Sequence, residues 1–151
     1  MWRVERVGWW VMGALLLAAA GGLLGPGYVS RTSVTLASDS ESVPSSTLEY
    51  DRLLHVYTNS TLTFTIRGRS SRGGRAVWLS NDYLSTVRVE RISPRPASEE
   101  SWSGGVRYRF DADDEPTLVF FHVKPDRSGP LSWTLRINEG PAAGIRQFVY
   151  P

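Results

Sequence analysis

The side chains able to do chemistry in this 151-residue chain are few, and their types exclude several reactions at once. Cysteine is absent, which removes disulfides, lipoprotein cysteines, thiolate metal sites and cysteine nucleophiles together. The only histidines are His55 and His122, too few for a three-histidine zinc site within one chain. Met1 and Met12 are the only methionines, so the rest of the chain offers no thioether, and a blue-copper centre is excluded by the missing cysteine. The acidic stretch DADDEP, residues 111–116, has the density of a calcium loop. The EF-hand register, however, requires Gly at its sixth position and Glu at its twelfth, where this chain carries Pro116 and His122. A turn between two strands explains the cluster. His122 shares a strand face with Leu118 and Phe120, the setting of a partly buried structural histidine, and His55 shares one with Asp51. No nucleophile elbow, Gly-rich phosphate loop or other catalytic spacing is present. The expectation is a protein that is not an enzyme, with no catalytic residue, no cofactor and no metal.

Two features suit contact rather than catalysis. RGRSSRGGR, residues 67–75, places Arg67, Arg69, Arg72 and Arg75 on a Gly/Ser frame. Guanidinium forks there would pair with anionic lipid headgroups or with a carboxylate-rich neighbouring subunit, and the competing reading is a solvated hairpin loop. Trp102 sits in the polar stretch SPRPASEESWSGG, residues 93–105, which reads as a long loop using Trp102 as a contact anchor, or as a lid over the domain edge. The formal net charge is only +2, weak grounds for an anionic partner. Nucleic acid is excluded as a partner because the charge pattern around the N-terminal segment puts these arginines outside the membrane.

That segment runs without a charge from Val7 to Leu24, about 27 Å as a helix, against a hydrocarbon core of about 30 Å. Gly25-Pro26-Gly27 ends it. Arg3, Arg6 and the α-amino group mark the N-terminal side as cytoplasmic, and Trp2, Trp9, Trp10 and Tyr28 suit the two interfaces. Ala18-Ala19-Ala20 also satisfies a signal peptidase. Retention is favoured, because apolar character continues through Gly21-Gly22-Leu23-Leu24 and paired tryptophans suit an anchor. Ala14, Ala18 and Gly22 recur every four residues, with Gly21 and Gly25 alongside, a stripe that lets another helix approach closely. The partner would be a membrane protein subunit or a second copy of the chain, within the lipid bilayer.

Residues 30–46 are rich in Ser and Thr and read as a tether. Beyond them the period becomes two. Leu62, Phe64 and Ile66 alternate with threonines; Val106, Tyr108 and Phe110 with arginines; Leu131, Trp133, Leu135 and Ile137 with polar residues. Weaker candidates are residues 48–57, 76–80, 86–92, 117–124 and 144–150, which makes about eight strands. Residues 80–84 predict one helical turn capped by Ser80 or Asn81. The predicted fold is mainly β: a single transmembrane helix followed by a small antiparallel β-sandwich of immunoglobulin-like type. The predicted organisation is a cytoplasmic N-terminus (1–6), a transmembrane helix with its exit turn (7–29), the tether (30–46) and a periplasmic or extracellular sandwich (47–151).

With GLLGPGYVS after the helix, LEYDRLLH at the first strand and IRQFVYP at the C-terminus, the chain resembles uncharacterised single-pass bacterial membrane proteins with a short outward β-domain ending in QFVYP. The resemblance implies that topology and no function. The residues themselves point to an accessory subunit of a larger bacterial membrane complex, of respiratory or photosynthetic type, seated in the inner membrane and covering a partner's periplasmic face. The alternative is an anchored periplasmic module in which Trp78, Trp102 and Trp133 stack on a glycan or cell-wall fragment.

Overall fold

Residues 2–20 contain no proline and are rich in alanine and leucine, and they form the helix α1 (Trp2–Ala20). The computed structural model describes residues 2–20, 31–36, 45–68, 73–102, 104–111 and 116–151, and the chain divides into two units, Met1–Arg31 and Thr32–Pro151. In the first unit Val7, Trp9, Trp10, Val11, Met12, Leu15, Leu16 and Leu17 are all exposed. At about 100° per residue these positions pass right around the helix. Among the described residues no helix is long and apolar enough to cross a membrane. The uncharged part of α1 begins after Arg6, so residues 7–20 supply about 21 Å of it. The rest of the expected transmembrane segment, residues 21–29, lies outside the described residues.

The second unit is mainly β. Its strands are β1 (Arg31–Leu36), β2 (Ser46–Asp51), β3 (Leu53–His55), β4 (Ser60–Ile66), β5 (Arg75–Ser80), β6 (Val87–Ser93), β7 (Ser98–Trp102), β8 (Gly105–Phe110), β9 (Thr117–Pro125), β10 (Gly129–Ile137) and β11 (Ala143–Tyr150). One helical turn, α2 (Asn81–Leu84), joins β5 to β6. A five-stranded sheet has the order β1-β2-β4-β9-β6, and a six-stranded sheet the order β3-β11-β10-β5-β8-β7. The ladders that join β2, β4, β9 and β6 and those that join β11, β10, β5, β8 and β7 are antiparallel, and β3 runs parallel to β11.

The strands with strict alternation bury the residues expected of them: Leu62, Phe64 and Ile66 on β4, Tyr108 and Phe110 on β8, and Leu131, Trp133, Leu135 and Ile137 on β10. Three expectations need correction. Residues 31–36, read as tether, form an edge strand, because one alternating face with Leu36 in the core is all an edge requires. The stretch 93–105, read as a loop, contains β7, whose register with β8 sets Glu100 opposite Arg107 and Trp102 opposite Gly105. The candidate strand 48–57 is divided between the two sheets at Arg52, whose carbonyl accepts the Phe148 N–H at 2.8 Å. His55 and Asp51 therefore stand in different sheets.

The sheets share one core in a β-sandwich-like arrangement. Phe121 of β9 meets Phe64 within its own sheet at 5.2 Å between ring centroids, and Tyr108 and Phe110 of the opposite sheet at 5.3 and 6.4 Å, all edge to face. The helical turn appears where predicted, with Ser80 at its N-cap position, yet the Ser80 hydroxyl makes no cap bond and accepts the Thr134 N–H at 3.1 Å instead. Its task is joining β5 to β10. Tyr83 of α2 packs against Trp133 with 4.3 Å between centroids.

Gln147 is the polar hinge of this core. Its side chain is buried, accepts the Trp133 indole N–H at 2.8 Å and donates to the Asp51 carbonyl at 2.6 Å. Gln147→Leu keeps the volume but strips both partners, and is expected to cost about 2 kcal/mol in denaturant unfolding of the full chain in mild detergent. Tyr83 is the opposite case. Its hydroxyl is buried without a hydrogen-bond partner among the described residues, and burial pushes its pKa well above the ordinary tyrosine value. Tyr83→Phe is expected to stabilise by about 1 kcal/mol at neutral pH. A tyrosine whose folded pKa is raised keeps its full contribution below the unfolded value and loses it as pH rises beyond. The variant should therefore also lose less stability than wild type above about pH 10.

Candidate interaction surface

The residues expected to make contacts do not assemble into one patch. Arg67 is exposed just after β4, while Arg69 and Arg72 lie outside the described residues. Arg75 is a correction: it opens β5 on the inward face, and its side chain is fully buried. Parity explains this, because Arg75, Val77 and Leu79 occupy one face of β5. On α1, Ala14 is exposed and Ala18 lies within the helix; Gly21, Gly22 and Gly25 lie outside the described residues. Of DADDEP, residues 112–115 lie outside them too.

The two histidines are far from any shared chemistry. His55 is exposed on β3, edge to face with Tyr150 at 5.0 Å. His122 sits half-buried on the outward face of β9 with Leu118 and Phe120, and its Nδ1 shares a hydrogen bond of 3.2 Å with Thr61 Oγ1. Among the described residues no group of three His, Asp or Glu side chains is placed to hold a metal ion.

Two surface features stand out. A shallow groove of about 260 Å³ lies where the edge strands β6 and β7 part, lined by Val89, Arg91, Ile92, Arg95, Glu99 and Tyr108. The ladder irregularity between Val89 and Arg91 lies along its β6 side. Burial, with the Glu99 charge adding to it, holds the Tyr108 phenol above the ordinary tyrosine pKa. The groove is also lined by Glu90 and Pro96, so charges of both signs surround the phenol.

The larger feature is the outer face of the six-stranded sheet. Cross-strand register brings Ser132 beside Arg146, Arg136 beside Trp78, Trp78 beside Arg107 and Phe148 beside Leu53. The Arg136 guanidinium stands 5.7 Å from the centre of the Trp78 ring. Arg109 pairs with Glu100 at 3.2 Å and Arg107 with Glu139 at 3.4 Å. Trp102 is exposed on β7. Trp133, proposed alongside it for stacking on a ligand, is core, with its indole N–H held by Gln147. Sequence reasoning missed this face because its arginines come from β8, β10 and β11, and only register collects them. No protein-family model, curated protein or solved structure matches the chain.

Proposed function

We propose that this protein is a non-catalytic accessory subunit of a bacterial inner-membrane complex. It is anchored by the segment 7–29 with its N-terminus cytoplasmic, and it carries a periplasmic sandwich of immunoglobulin-like type that covers a partner's outer face. One observation carries the reading: α1 exposes apolar side chains, from Val7 to Leu17, on every side. A helix apolar all round is at home in hydrocarbon or against other membrane helices, and costs free energy in water. Arg3 and Arg6 at its start support the orientation. The immunoglobulin-like type is supported by β2-β4-β9-β6 lying opposite β11-β10-β5, with the chain changing sheets at each step from β2 to β7 and again from β8 to β9 and from β9 to β10. Respiratory and photosynthetic assemblies are the class of complex this outline fits.

The test is a C-terminal tag on the full chain, solubilisation of native membranes in mild detergent, and identification of what co-purifies. A stoichiometric set of membrane proteins is the expected result. A chain that runs alone in every mild detergent would contradict the subunit reading.

A further inference from the structure

We infer that the outer face of the six-stranded sheet docks onto anionic phospholipid headgroups, turning the sandwich flat against the membrane that anchors it. The inference rests on the membrane reading above and adds the surface, its chemistry and its orientation.

The face is built with apolar groups at its two edges and cations between them. At one edge Leu53 and Phe148 are cross-strand neighbours on β3 and β11, 44% and 46% exposed. At the other edge Trp102 on β7 is 51% exposed. Six strands at about 4.8 Å spacing set these edges roughly 24 Å apart. Between them Arg107 and Arg109 are each matched by a glutamate. Arg136 and Arg146 are exposed on β10 and β11, and neither has a carboxylate partner among the described residues. The Arg136 guanidinium carbon stands 5.7 Å from the Trp78 ring centre, and a guanidinium there can offer its N–H edge to a phosphate for bidentate pairing.

Charge complementarity chooses the occupant. Unmatched arginines beside exposed Trp and Phe are the combination that the headgroup region accepts: phosphate oxygens take the guanidinium edge, and the aromatic rings lodge at the boundary of the acyl chains. The opposite outer face is built differently. On β4 its outward positions are Thr61, Thr63 and Thr65, and on β9 Leu118 and Phe120 lie beside them. Its cations gather along β6 and the end of β9, where register sets Arg88 beside Lys124 and Arg91 beside His122; Arg88 is paired with Asp126 at 3.1 Å, and no tryptophan is exposed there among the described residues. Anchoring multiplies a weak contact, because a tethered face meets the lipid at high effective concentration.

The experiment uses the full chain in nanodiscs of phosphatidylcholine alone and of phosphatidylcholine mixed with phosphatidylglycerol. Hydroxyl-radical footprinting then reads the oxidation of Trp102 and Phe148. The expected result is at least about a threefold fall in oxidation in the anionic discs. High salt should reverse it, and so should the double variant R136E/R146E, whose fold is checked by its melting midpoint. Because salt acts on the wild-type chain, the proposal stays testable even if the double variant fails to fold. Equal oxidation in both lipids overturns the proposal while the anchor stands. So does protection seen only in native membranes and never in defined lipid, which would assign the face to an acidic protein. A chain that does not enter the discs at all fails the membrane reading itself, a separate outcome.

Discussion

Phe121→Ala is expected to lower the stability of the sandwich by about 4 kcal/mol, a fall of roughly 15 °C in melting midpoint, without changing the position of α1 in the chain. Phe121 is fully buried, and its ring touches aromatic partners in both sheets: Phe64 beside it, Tyr108 and Phe110 across from it. Truncation removes the transfer free energy of a large ring and leaves a cavity that three other rings must line. Their strands are held by ladders on both sides, β4 between β2 and β9 and β8 between β5 and β7, so the walls cannot close on the void. Phe121→Leu, which refills most of the volume, should recover more than half of the loss. Equal losses for the two variants would mean that the edge-to-face contacts, not the filled volume, set the cost.

The second large effect is expected at Gly105, which opens β8. A Cβ there would run into the carbonyl oxygen of Leu79 and stand 2.9 Å from the Trp78 indole. The first of these is backbone in the neighbouring strand, and it cannot rotate away. Trp78 is also constrained, since its indole lies beside Arg136 and its Nε1 is already buried. Gly105→Ala is therefore expected to cost about 3 kcal/mol and to loosen the ladder between β5 and β8. The check is amide hydrogen exchange across residues 75–80 and 105–110 together with the unfolding midpoint. Gly144, an outward glycine with open space around it, is the matched control, and Gly144→Ala should be nearly silent.

These two positions differ in how far the sequence revealed them. Phe121 lies in TLVFFHVKP, where Val119, Phe121 and Val123 alternate with Leu118, Phe120 and His122. With apolar residues on both faces, period alone could mark a strand but not its buried side. Gly105 gave no signal beyond a turn, because the requirement comes from Leu79 and Trp78 on another strand. The central strands β4 and β10 were legible for the reason that makes them central: each has one face committed to the core along its length. The edges β1 and β7 were not. RTSVTL and SEESW need bury little, so polar residues fill them and the apolar period fades. Arg75 was misread as surface because it ends an arginine run, although its parity with Val77 and Leu79 pointed inward. The cationic face was invisible for the opposite reason, being spread over strands distant in sequence.

If docking by that face and packing by the helix act together, the sandwich is held to the membrane by two contacts of different physics. One is apolar and insensitive to salt; the other is electrostatic and weakens as salt screens it. Stripping the second should free the domain's surface without releasing the chain.

The most direct test of the account is to wash native membranes with alkaline carbonate and read the intact mass of the tagged chain in the pellet and the supernatant. The account predicts a chain beginning at residue 1 or 2, retained in the pellet. A chain that begins after Ala20 and appears in the supernatant would contradict it, since α1 would then be a removed leader and not the anchor.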